Sequence, residues 1–99
     1  MLAPRAAAAQ SSVLRGEVVE RATRAPVAGA TIEVTGADGE VLGSALSGPD
    51  GTFVVRGLSP GQVTVRATFL GYAPAVVADV AVQPSRSTFV LLELRERAV

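Results

Sequence analysis

From Val13 onward the chain alternates between apolar and polar residues with period two. Val63, Val65, Ala67 and Phe69 take turns with Gln62, Thr64, Arg66 and Thr68. Ile32 and Val34 alternate with Thr31, Glu33 and Thr35, and Phe53 and Val55 with Thr52, Val54 and Arg56. Near the end Val90, Leu92 and Leu94 share a face opposite Phe89, Leu91, Glu93 and Arg95. Successive side chains of a strand point to opposite faces, so each run predicts a half-buried strand with these apolar sets inward. Phe53 and Phe69 are both expected in the core. The pattern predicts seven strands, at 14–20, 30–35, 41–47, 52–56, 62–69, 75–82 and 87–95. No segment sustains a 3.6-residue period. The alanines at 6–9 are too short a run to hold a helix in water without packing.

The punctuation fits the strands. Asp38-Gly39 and Asp50-Gly51 separate strand-like runs, and Asp-Gly supplies the positive φ that hairpin turns require. Pro60-Gly61 suits the two central positions of a type II turn. Pro26, Pro74 and Pro84 stand where strands start or break. Short strands with turn signals at regular spacing predict an all-β, seven-stranded antiparallel β-sandwich.

Five motifs then follow in order. They are Gly16-Glu17-Val18-Val19-Glu20, Pro26-Val27-Ala28-Gly29-Ala30, Ser47-Gly48-Pro49-Asp50-Gly51-Thr52-Phe53, Gly57-Leu58-Ser59-Pro60-Gly61, and Phe69-Leu70-Gly71-Tyr72. Their order and spacing resemble the carboxypeptidase regulatory-like domain, a transthyretin-like (prealbumin, Ig-like) sandwich, over about residues 13–95. The matching residues are scaffold residues: turns at Gly29, Asp50, Gly51, Pro60, Gly61 and Gly71, with Leu58 plugging one end of the sandwich. A scaffold match identifies a fold better than an activity.

Composition narrows the chemistry further. The 99 residues contain no cysteine and no histidine. Lysine is also absent, so all nine basic residues are arginine, and they cancel nine acids. There is no thiolate zinc site, no Ser-His or Cys-His pair and no serine–lysine pair to build. The zinc ligands of the metallopeptidases that give the resembled domain its name belong to a separate catalytic domain. The acids fall on solvent faces or in turns, with no spacing that argues for a paired-carboxylate cleft. Asp38 and Asp50 read as turn formers rather than calcium ligands, because the oxygen-rich spacing of a calcium loop is missing. The sequence therefore predicts no catalytic residue, metal or cofactor. Zero net charge argues against a nucleic-acid partner, and no run of about 20 apolar residues provides a membrane-spanning helix.

Three residues remain as candidate contacts. Phe89 and Leu91 face outward on the last strand if Val90, Leu92 and Leu94 face inward, and Val77 raises the same question on the strand before. An exposed apolar strip of this kind marks a contact surface or the seat of the N-terminal tail. At a sheet edge, the last strand offers a site for a partner strand. Tyr72 is the one plausible aromatic platform for a sugar, against a structural role with its ring buried and its hydroxyl at the rim. Residues 1–12 read as a disordered tail or a signal-peptide remnant ending near Gln10, and 96–99 as the C-terminal end. The resemblance implies a non-catalytic module of the bacterial cell envelope or of a secreted protein. In that family it often stands as the periplasmic N-terminal domain of TonB-dependent, SusC-like outer-membrane receptors, with a protein partner or attached domain. The alternative is a carbohydrate-binding-like module attached to a secreted hydrolase or peptidase.

Overall fold

The computed structural model describes residues 12–97. Expectations for the N-terminal tail up to residue 11, and for 98–99, lie outside the described residues. Eight strands occur in chain order: β1 (Ser12–Glu20), β2 (Thr31–Thr35), β3 (Val41–Leu46), β4 (Thr52–Leu58), β5 (Gly61–Thr68), β6 (Tyr72–Ala73), β7 (Ala75–Val82) and β8 (Ser87–Glu96). They form two four-stranded sheets. Sheet A has the order β4-β1-β8-β6 and sheet B the order β3-β2-β5-β7. The inner faces pack on each other through Leu14, Val18, Phe53, Val55, Val90, Leu92 and Leu94 of sheet A, and Ile32, Val34, Val63, Val65 and Ala67 of sheet B. Fully burying a leucine or isoleucine contributes about 1.5–3 kcal/mol, so this layer is the main source of stability.

The chain is an all-β sandwich, and its differences from the sequence pattern have local causes. The eighth strand is β6, two residues that pair with Glu96 and Arg95 of β8. Pro74 has no N–H to donate and splits this piece from β7. One strand pair is parallel: Val13–Glu20 of β1 runs alongside Ser87–Leu94 of β8. Alternation records which face is buried, not the direction of the neighbouring strand. Ser12, expected in the tail, opens β1 instead. It is fully buried, and its Oγ donates to the Gln83 carbonyl at 2.6 Å.

Asp50-Gly51 does not close a hairpin between neighbouring strands. β3 pairs with β2 in sheet B, whereas β4 pairs with β1 in sheet A. The turn therefore arches across one side of the sandwich. Gly51 N–H donates to the Gly48 carbonyl at 2.8 Å, and Gly48 N–H to the Thr52 carbonyl at 2.9 Å. Gly51 has φ +81°, and a Cβ there would lie 2.6 Å from the Val18 carbonyl oxygen. Pro60-Gly61 also links the two sheets. Gly61 takes φ +147° rather than the roughly +80° of a type II turn, so that expectation is corrected too. Gly16 explains how the largest inward ring fits. It stands opposite Phe53 in the β1–β4 register, and a Cβ there would meet the Phe53 ring at 2.3 Å.

Candidate contact surface

Register places the outward residues of sheet A in rows across β4, β1 and β8. One row is Val54, Arg15 and Phe89; the next is Thr52, Glu17 and Leu91. On either side lie the rows Arg56, Val13, Ser87 and Val19, Glu93. Phe89 is 65% exposed and Leu91 41%. Val54 is exposed on the far side of Arg15, so three apolar side chains border the two charges. Arg15 and Glu17 are two residues apart on one strand. They share this face but make no ion pair or side-chain hydrogen bond among the described residues, whose one ion pair joins Arg24 to Glu93.

The outer face of sheet B differs. Its central strands present Thr31, Glu33 and Thr35 beside Thr68, Arg66 and Thr64, with Glu33 opposite Arg66 in register. Its large exposed apolar residues lie on the two edge strands, at Val41, Leu42 and Leu46 on β3 and Val76 on β7. Val77 is not an outward residue. It stands in register with Val65 and packs against the core, and Val76 is the exposed neighbour. At the register shift, three steps along β7 (Val77 to Val80) stand against two along β5 (Val63 to Val65), and this extra residue changes the phase of the alternation in β7.

β8 is bordered on its free side by β6 only at Arg95 and Glu96. Along its first half β7 lies near, with Thr88 Oγ1 donating to the Ala81 carbonyl at 3.2 Å. A strand added to β8 would compete with that approach.

Tyr72 sits at one end of the sandwich. Its hydroxyl donates to Glu20 Oε2 at 2.5 Å, and Thr23 Oγ1 donates to Glu20 Oε1 at 2.6 Å. The two hydrogen bonds hold the Glu20 carboxyl below its ordinary range, with the Thr23 bond the larger cause. The bond to Glu20, followed by partial burial, raises the Tyr72 phenol. The ring is half-buried and lies 5.9 Å from that of Phe69 at a tilt of 42°. Phe69 is 37% exposed, which overturns its expected core position. β5 ends at Thr68, and the chain turns through Gly71 at φ +91°, with Tyr72 N–H donating to the Phe69 carbonyl at 3.1 Å. The alternation that buries Ala67 therefore stops before Phe69. Phe69, Leu70, Tyr72, Thr31 and Arg97 line an open cleft of about 490 Å³.

The aspartates expected in turns bind locally. Asp38 Oδ1 accepts the Glu40 N–H at 3.0 Å, and Asp50 Oδ1 accepts the Thr52 hydroxyl at 2.7 Å and its N–H at 3.2 Å. The Thr52 hydroxyl is the main reason the Asp50 carboxyl is lowered. Among the described residues, no cluster of three or more His, Cys, Asp or Glu could hold a metal. Among the described residues, no helix is long and apolar enough to cross a membrane.

The family model of the carboxypeptidase regulatory-like domain matches residues 13–95. The chain belongs to that family. Among curated proteins, none matches the sequence. Solved structures similar to this carboxypeptidase regulatory-like domain include the minor pilin GBS52 of Streptococcus agalactiae, with TM-score 0.68 and 17% identity over 91% of this chain and 46% of that one. A cohesin–X-dockerin complex of Acetivibrio cellulolyticus gives TM-score 0.64 and 24% identity over 81% of this chain and 51% of that one. A 3-chlorocatechol 1,2-dioxygenase of Rhodococcus opacus gives TM-score 0.67 and 15% identity, covering 89% and 61%. One sandwich thus occurs within pilins, a cohesin–dockerin assembly and an enzyme, and at these identities the likeness is one of fold. The regulatory-like domain spans about half the length of the first two chains.

The alternation places Phe89 and Leu91 outward but does not single out Val54, Arg15 and Glu17. These belong to strands far away in sequence, and only the β4-β1-β8 order gathers them. The signal available was their phase: each is an outward position within its own alternation.

Proposed function

We propose that this domain is a non-catalytic interaction module whose contact surface is the outer face of sheet A. The observation that carries this reading is the exposure of Phe89, Leu91 and Val54 together on one face. The domain's own core is complete without them. Isolated exposed apolar residues are ordinary on a protein surface, but adjacent ones in register form a patch, and patches mark interaction sites. Family membership and the recurrence of this fold in pilin and cohesin–dockerin proteins support a place in the bacterial cell envelope or in a secreted protein. Within that setting we favour the periplasmic N-terminal domain of a TonB-dependent outer-membrane receptor. The gene beyond Val99 tests the setting: a plug and barrel are expected, and a stop codon directly after Val99 would contradict it.

The contact surface has its own test. A photo-crosslinking amino acid is placed at position 89, or at Leu46 on the other sheet as a control, in the protein expressed at its natural level. Adducts are expected from position 89 well above those from position 46. Equal yields from both would contradict the reading.

A carbohydrate-binding reading has one observation in its favour, the cleft lined by Phe69 and Tyr72. The Tyr72 hydroxyl already serves Glu20, which leaves Phe69 the more available ring. Calorimetric titration with a panel of oligosaccharides decides it: a site there requires binding that Phe69→Ala and Tyr72→Ala both weaken.

A further inference from the structure

We propose that a second copy of this chain is what docks on the outer face of sheet A, in a twofold arrangement whose strands run antiparallel across the interface. The proposal rests on the contact-surface reading above and names its occupant from charge and register. Arg15 lies between Val54 and Phe89, and Glu17 between Thr52 and Leu91. Neither charge has a partner among the described residues. Residues two apart on a strand are separated by about 7 Å, and Arg15 and Glu17 form no ion pair with each other across that spacing. Let a twofold axis lie in the interface, across the strands, midway between the Arg15 and Glu17 rows. Each strand then faces its own copy with the rows exchanged. Arg15 faces the other copy's Glu17, and Phe89 faces its Leu91, twice over. A twofold interface requires a patch that complements itself, and this patch carries one positive and one negative row about one centre. An axis along the strands would instead set Arg15 against Arg15.

The face is three strands wide, on the order of 300 Å² in plan at the usual strand spacing. That is small beside the roughly 800 Å² per partner of a standard interface, so the dimer is weak, with a dissociation constant expected in roughly the 10 µM to 1 mM range. Salt screens exposed charges over about 8–10 Å at physiological strength and weakens the pairing.

Sedimentation equilibrium of the 99-residue chain, from about 10 µM to about 1 mM at low salt, tests this. The average mass is expected to rise toward twice the monomer value. Phe89→Asp should abolish the rise. Arg15→Glu and Glu17→Arg should each weaken association by about tenfold or more. The two combined should restore it to within a few-fold of the parent, because the rows still complement each other. Circular dichroism melts check that each variant folds. Independently of any variant, amide NMR shifts of Phe89 and Leu91 should move on dilution while those of Glu33 and Arg66 stay still. A parent mass independent of concentration, or a double exchange that fails to restore pairing, overturns the proposal. A monomeric chain that still crosslinks from position 89 to a different protein overturns the dimer and leaves the contact surface standing. A monomeric chain with no excess crosslinking overturns both.

Discussion

The two outer faces of the sandwich are built from the same strand chemistry and finished differently. On sheet B, threonines cover the centre and Glu33 stands opposite Arg66 on the neighbouring strand. Opposite charges directly across a strand pair favour the sheet, so the register of that face sets its two central charges against each other, although they form no close ion pair. On sheet A, the charges Arg15 and Glu17 follow one another along a single strand, and their lateral neighbours are Val54, Phe89, Thr52 and Leu91. Neither charge finds its complement across a strand pair there. The inner faces of both sheets are equally complete, so the exposed phenylalanine and leucine are not demanded by the core. The proposed contact gives the apolar residues at the centre of sheet A's outer face a role that the core does not.

The comparison depends on the phase of each strand, and the largest expected effect tests that first. Phe53→Ala empties an inward position of β4 and should cost about 3–5 kcal/mol of unfolding free energy in a denaturant titration. A loss under about 1 kcal/mol would turn β4 over and remove Val54 from the outer face. Gly16→Ala tests β1. Its added methyl has to displace the Phe53 ring, and the expected cost is about 1–3 kcal/mol. If the substitution is neutral, Gly16 does not face inward, and Arg15 and Glu17 lose their assigned side.

Phe69→Ala comes next. The ring is only partly buried, so a loss of about 1–2 kcal/mol is expected in the same titration, in proportion to the area lost. A loss matching that of Phe53→Ala would restore Phe69 to the core.

The smallest effect concerns β6, which closes the far side of sheet A. The folded Glu20 carboxyl is lowered, so its contribution holds above the ordinary carboxylate range and disappears as pH falls through it. The Tyr72 phenol is raised, so its contribution holds below about 10 and disappears as pH rises beyond its folded value. The pair therefore acts in the window between. Melting curves of Tyr72→Phe should fall slightly below the parent at pH 7 and converge with it at acid pH. A constant offset at every pH would mean that packing, not the hydrogen bond, is what the hydroxyl provides.

These positions also mark how far the sequence could be read. Ile32, Val34, Phe53, Val55, Leu92 and Leu94 showed their burial through alternation alone, because each sits in an unbroken strand. Phe69 did not, because the strand ends at Thr68 and the rule ends with it. Asp50-Gly51 announced a turn correctly, but turn chemistry is local and could not say that the next strand joins the other sheet. The parallel partnership of β1 and β8 left no trace in either strand. For the candidate surface, Phe89 and Leu91 were legible one strand at a time. Their company with Val54, Arg15 and Glu17 was not, because it arises from pairing between strands at opposite ends of the chain.

The most direct measurement is covalent footprinting of the domain in its natural host protein, compared with the isolated 99-residue chain in dilute solution. Phe89 and Leu91 should be labelled several-fold less in the host, while Leu46 and Val76 on sheet B are labelled equally in both. Equal labelling of Phe89 and Leu91 in the two settings would contradict the assignment of sheet A's outer face as the contact surface.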